Sequence, residues 1–67
     1  MEHNTDEKIR ELIISRVEGD RSITESELYS INPDKDVAID IIRRLAKEIS
    51  YDIEARLGED GNLYLTT

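Results

Sequence analysis

A chain of 67 residues has room for one small hydrophobic core, so residues 1–67 are expected to form a single domain stabilised by only a few kcal/mol. It contains no cysteine, which excludes disulfides, thiolate metal sites and cysteine nucleophiles and makes the reducing cytoplasm the default location. Sixteen acidic against nine basic residues give a formal charge of −7, which keeps a small protein dispersed and opposes nonspecific attraction to nucleic acid or anionic lipid.

The chain starts Met1-Glu2-His3-Asn4-Thr5-Asp6-Glu7, without the basic start and apolar run of a signal peptide. No apolar stretch approaches the ~20 residues of a membrane span, so a soluble, unexported protein is expected. Residues 1–4 are expected to fray. From Asn4 to Gly19, Ile9, Leu12, Ile13 and Val17 recur at spacings of three and four, one buried stripe at about 100° per residue. Asn4 or Thr5 is placed to cap the free amides, Asp6 and Glu7 complement the helix dipole, and Gly19 supplies a stop. Ile14 falls off the stripe and reads as peripheral packing.

Arg21-Ser22-Ile23-Thr24 suits a brief extended segment with Ile23 pointing inward. Thr24-Glu25-Ser26-Glu27 has capping-box spacing and opens a short second helix, with Leu28 and Ile31 on its buried side and Tyr29 at the edge. Asn32-Pro33 ends it and begins the next, since proline disfavours helical geometry at the residue before it and suits the first helical position. The third helix is predicted to run to about Ser50. Ala38, Ile41, Ile42, Leu45 and Ile49 cluster on one side of a helical wheel and Asp36, Asp40, Arg43 and Lys47 on the other.

From Tyr51 the period becomes two. Tyr51, Ile53, Ala55 and Leu57 alternate with Asp52, Glu54 and Arg56, a strand with one buried face, and Leu63 and Leu65 continue it after Gly58-Glu59-Asp60-Gly61-Asn62. A two-residue turn at Asp60-Gly61 would set Leu57 opposite Tyr64 and throw Leu63 and Leu65 onto the face of Arg56. A three-residue loop with Gly61 in the left-handed conformation instead pairs Leu57 with Leu63 and Ala55 with Leu65 and keeps the aliphatic side chains together. The second arrangement is the one predicted, with Arg56 and Tyr64 cross-strand on the other face.

The expected fold is α+β: three helices, a short extended segment near residues 21–24, and a C-terminal two-stranded hairpin. In its order of elements the chain resembles the winged-helix superfamily. The resemblance rests on the Ile9 to Val17 stripe, the Ser22 to Leu28 approach to the second helix, Asn32-Pro33, the Ala38 to Ile49 stripe, and the hairpin from Tyr51 to Thr66. It covers nearly the whole chain through layout, without a diagnostic signature. It implies that the third helix enters the DNA major groove and the hairpin, or wing, touches the backbone or minor groove. By position, Asp36, Asp40, Arg43, Arg44 and Lys47 would then meet DNA, with Arg56 and the Glu59 to Asn62 tip as the wing.

The sequence departs from that pattern where bases would be read. The start of the third helix offers Asp34, Asp36 and Asp40 with only Lys35 among them, where a recognition helix usually offers Arg, Lys, Gln, Asn, Ser or Thr. Residues 34–47 hold four basic and three acidic side chains, whereas DNA binders commonly make about six to ten phosphate contacts. A dimer presenting the Arg43, Arg44 and Lys47 patch twice is the form in which specific DNA binding is expected.

Enzyme chemistry finds no footing. The one histidine, His3, has no Cys or second His to complete a zinc site, and Ser15, Ser22, Ser26, Ser30 and Ser50 have no histidine base. Asp34/Asp36 and Glu59/Asp60 sit where helix starts and turns favour acids. Gly58-Glu59-Asp60-Gly61 lacks the lysine and following helix of a phosphate loop, and Asp34-Lys35-Asp36 lacks the glycine and closing glutamate of a calcium loop. No cofactor or metal is expected. Two functions remain: a dimeric DNA-binding transcriptional regulator, and an acidic module that engages a basic protein partner such as a polymerase, nuclease or another regulator. Lys35, Asp36, Asp40, Arg43, Arg44, Lys47 and Arg56 are the candidate contact residues for either. Self-association through the Arg56/Tyr64 face or Ile14 is a third expectation.

Overall fold

The computed structural model describes residues 3–19 and 21–67, and the side chains of 6–19 and 21–67. In chain order it has helix α1 (His3–Glu18), strand β1 (Ser22–Ile23), helix α2 (Glu25–Ile31), helix α3 (Lys35–Ile49), strand β2 (Glu54–Leu57) and strand β3 (Leu63–Thr66). The three strands form one antiparallel sheet in the order β1-β3-β2. The chain is thus a small α+β domain, with α1 against α3, β1 and β3, α2 against α3, and α3 against β2.

Helix α1 begins at His3, so Asn4 and Thr5 lie inside the helix and not at its cap. His3 and Asn4 are helical where fraying was expected, while residues 1 and 2 lie outside the described residues. The free amides of a first turn can face water without a side-chain cap, which removes the need for the expected start. The far end is held by the Gly19 N–H to the Ser15 carbonyl at 3.0 Å and the Arg21 N–H to the Arg16 carbonyl at 2.6 Å. Arg21 has φ +64, a left-handed conformation that sequence alone did not flag and that is uncommon for a side chain with a Cβ. Its carbonyl then accepts from the Leu65 N–H at 2.8 Å, so this one residue links the end of α1 to β3.

Helix α2 has the predicted capping box. The Thr24 hydroxyl accepts from the Glu27 N–H at 3.3 Å, and the Glu27 carboxylate accepts from the Thr24 N–H at 3.0 Å. Pro33 is not the first residue of α3. It precedes Asp34, whose side chain accepts from the Asp36 N–H at 3.0 Å and caps the helix, and Lys35 comes first. An aspartate satisfies an orphan amide, which a proline ring cannot do, so the cap decides the start.

The expected β-register is observed: Leu57 pairs with Leu63, Arg56 with Tyr64, and Ala55 with Leu65. Gly61 has φ +89, and the loop closes with the Gly58 N–H donating to the Asn62 carbonyl at 2.8 Å. Three corrections apply to this region. The segment near residues 21–24 does not stand apart but adds a third strand, with Ser22 opposite Tyr64 and Ile23 opposite Leu63. Tyr51 lies in the turn after α3 and is 87% exposed, because the chain must reverse there: the Ser50 hydroxyl accepts from the Asp52 N–H and its carbonyl from the Ile53 N–H. Leu57, at the end of the open edge, is 50% exposed.

Ile9, Ile13, Ile23, Leu28, Ile42, Leu45, Ile53, Leu63 and Leu65 build the core with Ala38, Ile39 and Ala46. Ile39 and Ala46 were not on the predicted stripe, whereas Ile41 and Ile49 are only half-buried. Because α3 meets β2 as well as α1 and α2, its buried arc is turned toward the sheet. No polar or charged residue is fully buried among the described residues, so each ion pair there keeps some contact with water.

Candidate interaction surface

The hairpin loop folds back onto the helices. The Asn62 side-chain oxygen accepts from the Glu25 N–H at 3.1 Å, capping the first turn of α2 from the distant loop. The Lys35 side chain is only 20% exposed, and its ammonium meets the Glu25 carboxylate at 2.7 Å. A Cβ at Gly61 would stand 2.7 Å from that carboxylate and 3.3 Å from the ammonium. Asp60 accepts from the Tyr64 hydroxyl and from the Asn62 N–H, while a Cβ at Gly58 would meet the Tyr64 ring. The supposed wing tip is therefore a tied loop. The hydrogen bond from Tyr64, then that from the Asn62 amide, holds the Asp60 carboxyl below its ordinary range, and the same bond raises the Tyr64 phenol. Lys35 is raised first by its hydrogen bond to Glu25, and desolvation opposes this.

Among the seven candidate residues, Lys35 is thus engaged between α2, α3 and the loop. Arg43 lies on the exposed side of α3, with its guanidinium 3.3 and 3.4 Å from the Ala55 carbonyl. Lys47, one turn on, donates to the Tyr51 carbonyl at 3.0 Å and lies 5.8 Å from the centre of the Tyr51 ring, within cation–π range. Arg43 and Lys47, with Ala46, Ile53, Glu54 and Ala55, line a shallow groove of about 210 Å3 between α3 and β2. Asp36 and Asp40 share the exposed side of α3, and no hydrogen bond or ion pair within the described residues uses their carboxylates.

Arg44 is exposed about 100° around the helix from Arg43. Arg56 pairs with Tyr64 on the outer face of the sheet, opposite the face that carries Leu63 and Leu65 into the core. The structure therefore brings Arg43 and Lys47 together over β2, with Arg44 beside them on the exposed part of α3, while Lys35 is held at the start of α3 and Arg56 lies on the outer face of the sheet.

Two further features had little signal in the sequence. Arg16 forms a two-pronged pair with Glu27 at 2.8 and 2.7 Å and also donates to the Ser22 carbonyl at 2.9 Å, tying α1 to β1 and α2. Burial pushes the Glu27 carboxyl up, but hydrogen bonds from the Thr24 amide, Arg16 and the Thr24 hydroxyl outweigh it and hold the group below its ordinary value. Beside this pair, Lys8, Ile9, Leu12, Glu27, Ser30 and Ile31 line a mainly apolar groove of about 310 Å3. Its only trace in the sequence is that the stripe on α1 is wider than the core it covers, leaving Leu12 half-buried.

Among the described residues no helix is long and apolar enough to cross a membrane, and no group of three or more His, Cys, Asp or Glu side chains is placed to hold a metal ion. No family model, curated protein or solved structure matches the chain.

Proposed function

We propose that this chain is a non-enzymatic interaction module of winged-helix layout that works in the cytoplasm without a cofactor. In this reading α3 and β2 engage a protein partner rich in lysine and arginine. The carrying observation is the pair of exposed, uncommitted acids on α3. Lys35, Arg43 and Lys47 each donate to groups of their own chain, whereas Asp36 and Asp40 remain exposed without a partner among the described residues. A formal charge of −7 adds long-range attraction for a basic surface and speeds its approach.

A lysine- and arginine-rich peptide titrated into isotopically labelled protein at low salt should shift the amides of α3 and β2. Asp36→Asn with Asp40→Asn should remove those shifts while leaving the fold intact. Unchanged binding in the double variant overturns this assignment of the surface.

DNA binding is the second reading, favoured by the exposure of Arg43, Arg44 and Lys47 within two turns of one helix. It predicts retardation of DNA fragments at micromolar protein and low salt, lost in Arg44→Ala. The absence of retardation with the fold intact excludes it.

A further inference from the structure

Strand β2 has an edge that no described strand of the chain pairs. Because the Gly58 N–H donates to the Asn62 carbonyl, alternation along the observed register makes Arg56–Tyr64 and Glu54–Thr66 the directly hydrogen-bonded pairs. Ala55 and Leu57 therefore turn their N–H and carbonyl groups away from β3. Two contacts agree with this: the Leu65 N–H points to the other side of β3 and reaches the Arg21 carbonyl, and Arg43 approaches the Ala55 carbonyl from outside the sheet. Edges of this kind are usually blunted by short length, charged side chains, proline or a bulge. Glu54-Ala55-Arg56-Leu57 is short and carries two charges, but they are of opposite sign and so can be matched by a second copy, and the strand has no proline or lysine and pairs with β3 without a bulge. Among the described residues its cover is the Arg43 guanidinium, at distances near the limit of hydrogen bonding.

We propose that β2 pairs antiparallel with β2 of a second copy about a two-fold axis at Ala55, joining two three-stranded sheets into one. Charge selects the register. With Ala55 opposite Ala55 of the second copy, Glu54 stands opposite Arg56 of the second copy, and the same pair recurs across the axis. Slipping the pairing by two residues, so that Ala55 meets Leu57, sets Arg56 directly opposite Arg56, which is unfavourable. In the favoured register the Ala55 N–H donates to the Ala55 carbonyl of the second copy, and the Leu57 N–H to the Ile53 carbonyl. Exposed Leu57 then lies against Ile53 of the second copy, and Arg43 gives up its two long contacts. Asp36 and Asp40, which carry the proposed partner binding, lie on α3 and take no part in this pairing.

Sedimentation and light scattering across a concentration series up to that of an NMR sample should show a species of twice 7.7 kDa. Ala55→Pro should leave it monomeric, since the lost N–H serves no bond to β3 and an edge strand tolerates proline there. Glu54→Arg and Arg56→Glu should each weaken the dimer about tenfold by setting like charges opposite one another. Mixing these two variants should restore a heterodimer. One copy then carries arginine at both positions 54 and 56 and the other carries glutamate at both, so each pair across the axis again joins opposite charges. This outcome does not depend on Ala55→Pro folding. A wild-type chain that stays monomeric throughout the series overturns the proposal, as do charge variants that dimerise like wild type or fail to rescue one another. Protection of the Ala55 and Leu57 amides only by an added extended peptide overturns the choice of a second copy as the occupant.

Discussion

Glu27→Gln tests the main tie between the helices. A glutamine keeps the acceptor that the capping box requires, so the substitution isolates the charge that Glu27 offers Arg16. The two side chains retain 23% and 31% exposure, between a surface pair of about 0.5 kcal/mol and a fully desolvated one. With solvent screening the expected loss is about 1 kcal/mol. Glu27→Ala also removes half of the cap and should cost about 2 kcal/mol. For a domain of this size each kcal/mol moves the midpoint by roughly 4–8 °C, so thermal unfolding followed by circular dichroism resolves the two variants.

The effect carries a pH signature. The folded-state pKa of Glu27 is depressed, so its contribution is present above the unfolded value and disappears as pH falls through the folded value. Wild type and Glu27→Gln should converge in acid. A double-mutant cycle with Arg16→Ala should give a coupling of about 1 kcal/mol at neutral pH. A coupling below about 0.3 kcal/mol, or a gap between wild type and Glu27→Gln that persists in acid, refutes the reasoning.

Gly61→Ala should cost about 1–2 kcal/mol in urea unfolding, because φ +89 is strained for alanine and the new Cβ meets the Glu25 carboxylate. A loss under about 0.5 kcal/mol would show that the loop readjusts freely. Ile42 is wholly buried, so Ile42→Val should cost about 1 kcal/mol and Ile42→Ala about 3–4 kcal/mol, enough to unfold a large share of so small a domain. Tyr64→Phe should raise the Asp60 pKa, read by carboxyl NMR titration, because the hydrogen bond that lowers it first is gone. The stability from Asp60 is present above its unfolded pKa and lost in acid, while that from the raised Tyr64 is present below its unfolded pKa and lost as pH climbs through the folded value.

What the sequence made readable is what local chemistry decides. Thr24 and Glu27 announce a helix start by spacing alone, and the need to keep Leu57, Leu63 and Leu65 on one face leaves a single sensible register, which is the one observed. Ile39 was not readable, because the arc that α3 buries depends on where β2 arrives. Nor was the third strand, since Ser22-Ile23 has too little pattern of its own and becomes a strand by meeting β3. The candidate contact residues were visible as exposed charges. Their engagements depend on distant elements, as when Asn62 and Gly61 bring the loop to Glu25 and Lys35. A charge count along one helix carries no such information.

The aliphatic core has a spectroscopic consequence. The sequence has no Phe or Trp, and all three tyrosines are exposed. The core is thus built without a buried ring, and the proton spectrum of the folded chain should show few of the upfield methyl signals by which a well-packed domain is usually recognised. The Tyr64 ring stands where a Cβ at Gly58 would lie. The displaced resonance that reports folding should therefore be a glycine Hα in the hairpin, so that a single signal monitors the closing of the loop and the formation of the native sheet together.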